Sequence, residues 1–128
     1  MGSEMCIRDS PKEVQRVCHI CCGYPNSLDS EGYIKADLDA YDRIASLVDD
    51  STIDEVSLED SHRYNDLNLL EKFTKTKVIF GFIDIAKSRM ESVEEVRVRI
   101  KDSLEHIDEH RLIAVSYTHL TLPTKRIV

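Results

Sequence analysis

A parallel α/β sheet of alternating strands and helices is the fold this sequence predicts, and three observations predict it. Short apolar runs alternate with segments of helical apolar spacing, the order that builds parallel sheets. The run Val78-Ile79-Phe80-Gly81-Phe82-Ile83 is continuously apolar, as befits a strand covered on both faces. The polar residues with chemistry to offer stand at the downstream ends of the runs, where α/β barrels carry their sites.

The first strand is expected over residues 16–21, closed by the turn cluster Gly23-Tyr24-Pro25-Asn26-Ser27. A polar loop follows through Asp29-Ser30-Glu31-Gly32. Asp39 suits an N-cap for a helix over residues 40–48, with Ile44, Leu47 and Val48 as its apolar face. A second strand covers residues 55–58. Asn65 or Asp66 then caps a short helix through Leu69, Leu70 and Phe73. The third strand takes residues 77–85. Ser92-Val93-Glu94-Glu95 has the capping-box spacing, and Val93, Val96, Ile100, Leu104 and Ile107 recur at helical intervals behind it. Arg111-Leu112-Ile113-Ala114 begins a fourth strand. The sum is about three β/α units plus the start of a fourth parallel strand, a partial (β/α)8 TIM barrel. With two open sheet edges and an uncovered face, such a piece is expected to be unstable alone.

At 128 residues and 41% hydrophobic content, the chain suits one soluble domain. It has no apolar run of the roughly 18 residues that a membrane span needs. Its start lacks the charged-then-apolar pattern of a signal peptide, so a cytoplasmic location is expected. A net charge of -7 argues against sequence-independent binding of nucleic acid or anionic lipid. Four cysteines in such a chain suggest metal or redox chemistry before disulfides. Cys18, Cys21 and Cys22 lie too close together to staple distant parts of a fold.

Apolar periodicity stops at both ends, and the ends have another origin. Gly2-Ser3-Glu4-Met5-Cys6-Ile7-Arg8-Asp9-Ser10 is the translation of a transposon-type sequencing adapter that contains AGATGTGTATAAGAGACAG. Val115-Ser116-Tyr117-Thr118-His119-Leu120 translates the same element in the opposite orientation, CTGTCTCTTATACACATCT, and the adapter continues through Thr124. Lys125-Arg126-Ile127 fits a translated index, with Val128 the next adapter codon. Residues 1–10 and 115–128 are therefore expected to be adapter-derived and not native, leaving residues 11–114 as the genuine insert. Cys6 and His119 then leave the functional census.

The chemistry concentrates in Cys18-His19-Ile20-Cys21-Cys22-Gly23 and in Val56-Ser57-Leu58-Glu59-Asp60. On an extended strand His19 and Cys21 face one way, while Cys18, Ile20 and Cys22 face the other. An imidazole, a thiolate and the Glu59 carboxylate from the neighbouring strand make a zinc site with an open position, the catalytic pattern. Two other readings stand beside it. The strand can carry His19 and Cys21 without any metal. Cys18-His19-Ile20-Cys21 also fits a Cys-x-x-Cys redox motif, although that motif normally opens a helix and here a Gly-Tyr-Pro turn follows. Cys18 and Cys22 read as packed small hydrophobes. His106, His110 and the charged run 91–105 read as solvated.

These residues resemble the C-terminal catalytic domain of cobalamin-independent methionine synthase and its archaeal-type relatives. The likeness covers nearly all of residues 11–114. It rests on Val17-Cys18-His19-Ile20-Cys21-Cys22-Gly23, on Val56-Ser57-Leu58-Glu59-Asp60-Ser61, on Gly81-Phe82-Ile83-Asp84-Ile85 with Glu91-Ser92, and on Arg111-Leu112-Ile113-Ala114. The resemblance implies Zn2+ held by His19, Cys21 and Glu59. It places a fourth ligand in a Pro-Asp-Cys-Gly motif expected just beyond Ala114. It also implies methyl transfer from 5-methyltetrahydrofolate, in its polyglutamate form, to homocysteine to give methionine. Small molecules are thus the expected partners. Two departures matter. Bacterial-type members carry a proton-shuttling histidine where this chain has Ala86, so Asp84 or His62 is expected to compensate, or the acceptor is another thiol such as coenzyme M. No Pro-Asp-Cys-Gly follows Ala114, so the chain by itself is expected to be inactive and at best a weak metal binder.

Overall fold

The computed structural model describes residues 10–116; Cys6 and His119 lie outside these. Four strands, β1 (Val17–Ile20), β2 (Glu55–Glu59), β3 (Lys77–Gly81) and β4 (Leu112–Val115), form one parallel sheet in sequence order. Helix α1 (Ala40–Asp50) joins β1 to β2, a 3-10 helix (Leu67–Lys72) joins β2 to β3, and α2 (Val93–Ser103) joins β3 to β4. Strands β1 and β4 are the sheet edges, so the barrel is open among the described residues.

Register and alternation sort the side chains into two faces. Cys18, Val56, Val78 and Leu112 form one row, and Ile20, Leu58, Phe80 and Ala114 the row above it. From these rows Val56, Leu58, Val78 and Phe80 are fully buried against Tyr41, Ala45, Leu69, Leu70, Phe73 and Ile107. Each contributes about 1.5–3 kcal/mol by leaving water. The opposite face carries His19, Ser57, Ile79 and Ile113 side by side. Of the two inner strands, β2 is buried along its whole length, whereas β3 is exposed at Lys77.

Local chemistry sets the element ends. Ser92 Oγ accepts from Glu95 N at 3.2 Å, and Ser92 N donates to Glu95 Oε2 at 2.7 Å, so the expected capping box is present. Asp66 caps the 3-10 helix by accepting from Asn68 N at 3.0 Å. Asp39 occupies the N-cap of α1, but its carboxylate lies 3.6 Å from the Arg43 guanidinium and makes no cap bond.

Several expectations change. The buried face of α1 is Tyr41, Ala45 and Asp49, spaced four residues apart, and Leu47 lies on the exposed side of the helix. The β3 ladder ends at Gly81, whose carbonyl accepts from both Asp60 N and Ser61 N as the chain turns away. In α2, Val96 and Ile100 pack on the core, whereas Val93 and Leu104 at its two ends are exposed and Ile107 is buried beyond it. The charged run is not wholly solvated: Arg99 reaches back to Asp60, with Nε–Oδ2 2.7 Å and an Nη2–Oδ1 bond of 2.9 Å. His106 Nδ1 sits 2.7 Å from Glu71 Oε1, while His110 is exposed.

Candidate functional site

The downstream strand ends gather the polar side chains that the sequence singled out. His19 lies on β1, exposed on the face away from the helices, with Nδ1 3.0 Å from Oγ of Ser57, its partner across the ladder. That contact orients the imidazole through one nitrogen, the usual arrangement of a ligating histidine. Cys21 follows the strand directly, is exposed, and accepts a hydrogen bond from Gly23 N at 3.4 Å. Cys22 points the other way and is 1% exposed. Burial pushes its thiol pKa up, an effect the nearby Tyr41 hydroxyl and Arg63 only partly offset. Alternation thus separates one accessible thiol from one core thiol, as expected, while Cys18 is only half-buried.

Gly23 is required where it stands. Its φ is +109°, and a Cβ there would meet the Ile34 carbonyl oxygen at 2.6 Å. Ala36 N donates to Cys22 O at 2.8 Å, so the loop after β1 leaves and returns at this point.

Glu59 closes β2 and is 1% exposed. Its carbonyl accepts from Asn65 Nδ2 at 2.9 Å, and its amide lies 3.4 Å from the Tyr41 hydroxyl. The next residue, Asp60, is fully buried and takes Asn65 N at 2.9 Å besides the paired Arg99. A rigid ion-pair network therefore begins one residue past Glu59. Tyr41 is a residue that sequence reasoning passed over. Its hydroxyl donates to Ile20 O at 2.9 Å, and burial holds the phenol protonated, well above its ordinary range.

The loops after β2 and β3 bring His62 and Asp84 together. His62 Nδ1 is 2.8 Å from Asp84 Oδ1, with the His62 side chain 1% exposed. Tyr24, from the loop after β1, meets the imidazole edge-on at 5.3 Å between centroids. Asp84 Oδ1 also accepts from Ala86 N at 2.9 Å, and Glu91 Oε1 accepts from Asp84 N at 2.7 Å. Nothing in the local sequence marks His62 and Asp84 as neighbours; the crossing of two loops does.

Among the described residues, no group of three or more His, Cys, Asp or Glu side chains is arranged to hold a metal ion. His19, Cys21 and Glu59 share strand ends, but their side chains are not drawn into one cluster. Their donor types still fit zinc: an imidazole, a thiolate and a carboxylate, soft enough to disfavour magnesium and calcium. No disulfide joins the cysteines among the described residues. No helix among the described residues is long and apolar enough to cross a membrane.

Comparison with known proteins gives consistent results. The family described as "Cobalamin-independent synthase, Catalytic domain" matches residues 35–116. Methionine synthase of Thermococcus kodakarensis is 34% identical over 88 residues, covering 68% of this chain and 26% of that protein. Methionine synthase of Pyrococcus furiosus is 30% identical over 69 residues, 53% of this chain and 20% of that protein. The solved structure of a B12-independent methionine synthase from Shewanella sp., in complex with selenomethionine, superposes with a TM-score of 0.61 at 27% identity. That superposition covers 82% of this chain and 32% of the other. The chain thus spans about a quarter of the length of the curated relatives it matches.

Proposed function

The chain belongs to the family of the cobalamin-independent methionine synthase catalytic domain, and from that premise we propose that it carries part of a zinc site for thiol methylation. The reaction is methyl transfer from 5-methyltetrahydrofolate, as a polyglutamate, to homocysteine, giving methionine. His19, Cys21 and Glu59 are the proposed ligands. The observation that carries this reading is the placement of an accessible imidazole and thiol on one side of the β1 end, next to the buried Glu59 of β2.

Zinc, when bound, supplies one thing: it keeps the acceptor thiol, with an ordinary pKa of about 8.5, in its nucleophilic thiolate form at neutral pH. The chain's own residues do the rest. Ser57 orients His19 through Nδ1, leaving Nε2 as the nitrogen that would hold the metal. The Gly23 amide donates to Cys21 Sγ and holds that side chain at the end of β1. Glu59, a carboxylate withdrawn from water, favours a cation beside it. His62 and Asp84, 2.8 Å apart at Nδ1 and Oδ1, take the place of the histidine that Ala86 displaces. That same departure favours a second reading, a related enzyme alkylating another thiol such as coenzyme M.

Val115-Ser116-Tyr117-Thr118 offers no cysteine as a fourth ligand. Residues 1–10 and 115–128 are, in this reading, adapter-derived. Val115 and Ser116 pair with Phe82 and Ile83 through backbone atoms alone, at 3.0 and 2.6 Å, bonds that any residues can make. The 128-residue chain is accordingly proposed to bind zinc weakly, without turnover, and to be cytoplasmic. Sequencing the source genome across the codons of Ser10 and Ala114 tests the adapter reading; native codons continuing in frame overturn it.

Cobalt substitution tests the site. A sulfur-to-metal absorption band is expected in the unsubstituted chain, lost in Cys21→Ser, weakened in Glu59→Gln and retained in Cys18→Ser. A band that survives Cys21→Ser refutes the ligand assignment. Assays of the full-length parent protein with homocysteine and with coenzyme M separate the two acceptor readings.

A further inference from the structure

The sheet stops halfway to closure. A (β/α)8 barrel needs eight parallel strands, and the described residues supply four, with β1 and β4 as open edges. Backbone direction shows what each edge offers. Arg16 O accepts from Glu55 N at 3.1 Å, so residues 16, 18 and 20 turn their backbone groups to β2. Those of Val17 and His19 then face out from the edge. On β4, Arg111 O accepts from Val78 N at 2.8 Å and Val115 O from Phe82 N at 3.0 Å. The alternate residues, Leu112 and Ala114, therefore direct their N–H and C=O groups to the open side.

Side chains at both edges match these open groups. On the face away from the helices, Val17 of β1 is 53% exposed, and Ile113 and Val115 of β4 are half-buried. An open parallel edge with apolar side chains is a template for another strand.

A second copy of the chain fits both edges at once. Turned about a two-fold axis along the barrel axis, it lays its β1 beside β4 of the first copy and its β4 beside the first copy's β1. Every strand stays parallel, every helix stays outside, and eight strands close with no edge left. Pairing β1 with β1 either reverses the partner's strands or puts its helices on the opposite face, and it leaves β4 open. We propose that two copies of this chain join edge to edge into one eight-stranded barrel, β4 of each beside β1 of the other. The inference rests on the barrel fold of the family and is independent of the zinc reading.

Sedimentation velocity of the 128-residue chain tests it, with a chelator and a thiol reductant present so that neither metal nor disulfide joins the chains. Between about 1 and about 100 μM a two-chain species is expected as the end point, with a urea midpoint that rises with chain concentration. A single-chain species throughout, a chain without fold at every concentration, or assemblies that keep growing past two chains each overturns the proposal. Ala114→Pro removes an N–H that faces the open side and no bond to β3. It is expected to weaken association at least about tenfold. Val17→Lys puts a charge where the closed barrel excludes water, with a loss of at least about tenfold. Val17 is exposed in the single chain, so the fold of one copy does not depend on it. Leu47→Lys, on the exposed side of α1, is the control and is expected to stay within about twofold of the unsubstituted chain. Association that survives both edge substitutions, or that Leu47→Lys weakens equally, overturns the edge pairing. Should Ala114→Pro not fold, Val17→Lys against Leu47→Lys decides.

Discussion

Replacing Asp49 with alanine removes four hydrogen bonds from one carboxylate in the last turn of α1. Oδ2 accepts from Thr74 N at 3.0 Å and Thr74 Oγ1 at 2.6 Å, and Oδ1 from Lys75 N at 3.1 Å and Thr76 N at 2.9 Å. These bonds hold the segment that delivers the chain into β3. Thr76 is buried, so its amide finds no water in the variant and costs about 1–3 kcal/mol. Thr74 and Lys75 are exposed, and water replaces their partner at a cost of about 0.5–1 kcal/mol each. Removing a negative charge from a helix C-terminus returns about 0.3–1 kcal/mol. The net expectation is a loss of about 2–3 kcal/mol, a sizeable share of the roughly 5–15 kcal/mol typical of a domain.

Urea unfolding followed by far-ultraviolet circular dichroism measures it. With a slope of about 2 kcal/mol/M, the midpoint falls by about 1–1.5 M. Asp49→Asn, which retains one acceptor oxygen, lies between. The pH dependence has a definite sign. Burial alone raises this carboxyl's pKa, but the Thr74 hydroxyl and the three amides outweigh it and hold the group far below its ordinary 3.8. A depressed native pKa stabilises the fold fully above the unfolded value and loses that contribution as pH falls below it. The gap between the unsubstituted chain and Asp49→Ala is therefore constant from pH 7 to about 5 and closes only below about 4. A midpoint shift under about 0.3 M at pH 7, or a gap already closing at pH 6, refutes the reasoning.

Further outcomes follow from other contacts. Arg99→Met leaves Asp60 buried with only Asn65 for company and is expected to cost about 3 kcal/mol, whereas adding Asp60→Asn recovers part of it; a double-mutant cycle in urea checks the coupling. Ser92→Ala removes the cap of α2 for about 1 kcal/mol, read as a lower thermal midpoint. The Ser92 amide and the Arg89 side chain hold the Glu95 carboxyl down to about 2. Its contribution is therefore full above about 4.5 and fades as pH falls towards 2, with Glu95→Gln as the insensitive reference for α2 helicity. Gly23→Ala places a methyl against Ile34 O at positive φ, and faster proteolysis within residues 24–35 is the expected signature; a loop as resistant as before counts against it.

Much of the fold was legible because period and punctuation are local properties. The 3.6-residue spacing in 93–107, the Ser92–Glu95 box and the unbroken apolar run at 78–83 report directly on backbone geometry. Strand alternation likewise separated Cys21 from Cys22 without any knowledge of neighbours. The misplacements fall where elements meet. Leu47 looked like a core residue because helical period marks an apolar stripe without saying how closely the sheet approaches it. Tyr41 and Ala45 take that place. Arg99 looked solvated because its partner, Asp60, lies across a loop from a different strand.

The sequence by itself determined the parallel α/β order, the family resemblance and the identity of the ligand candidates, since all three reside in residue type and spacing along one chain. Tertiary structure decided the rest. It paired His19 with Ser57, set His62 against Asp84, and brought the Tyr41 hydroxyl to Ile20 O and Glu59 N. Each of these contacts joins residues distant in sequence, and their distances are fixed by sheet register and helix packing, which no local pattern encodes.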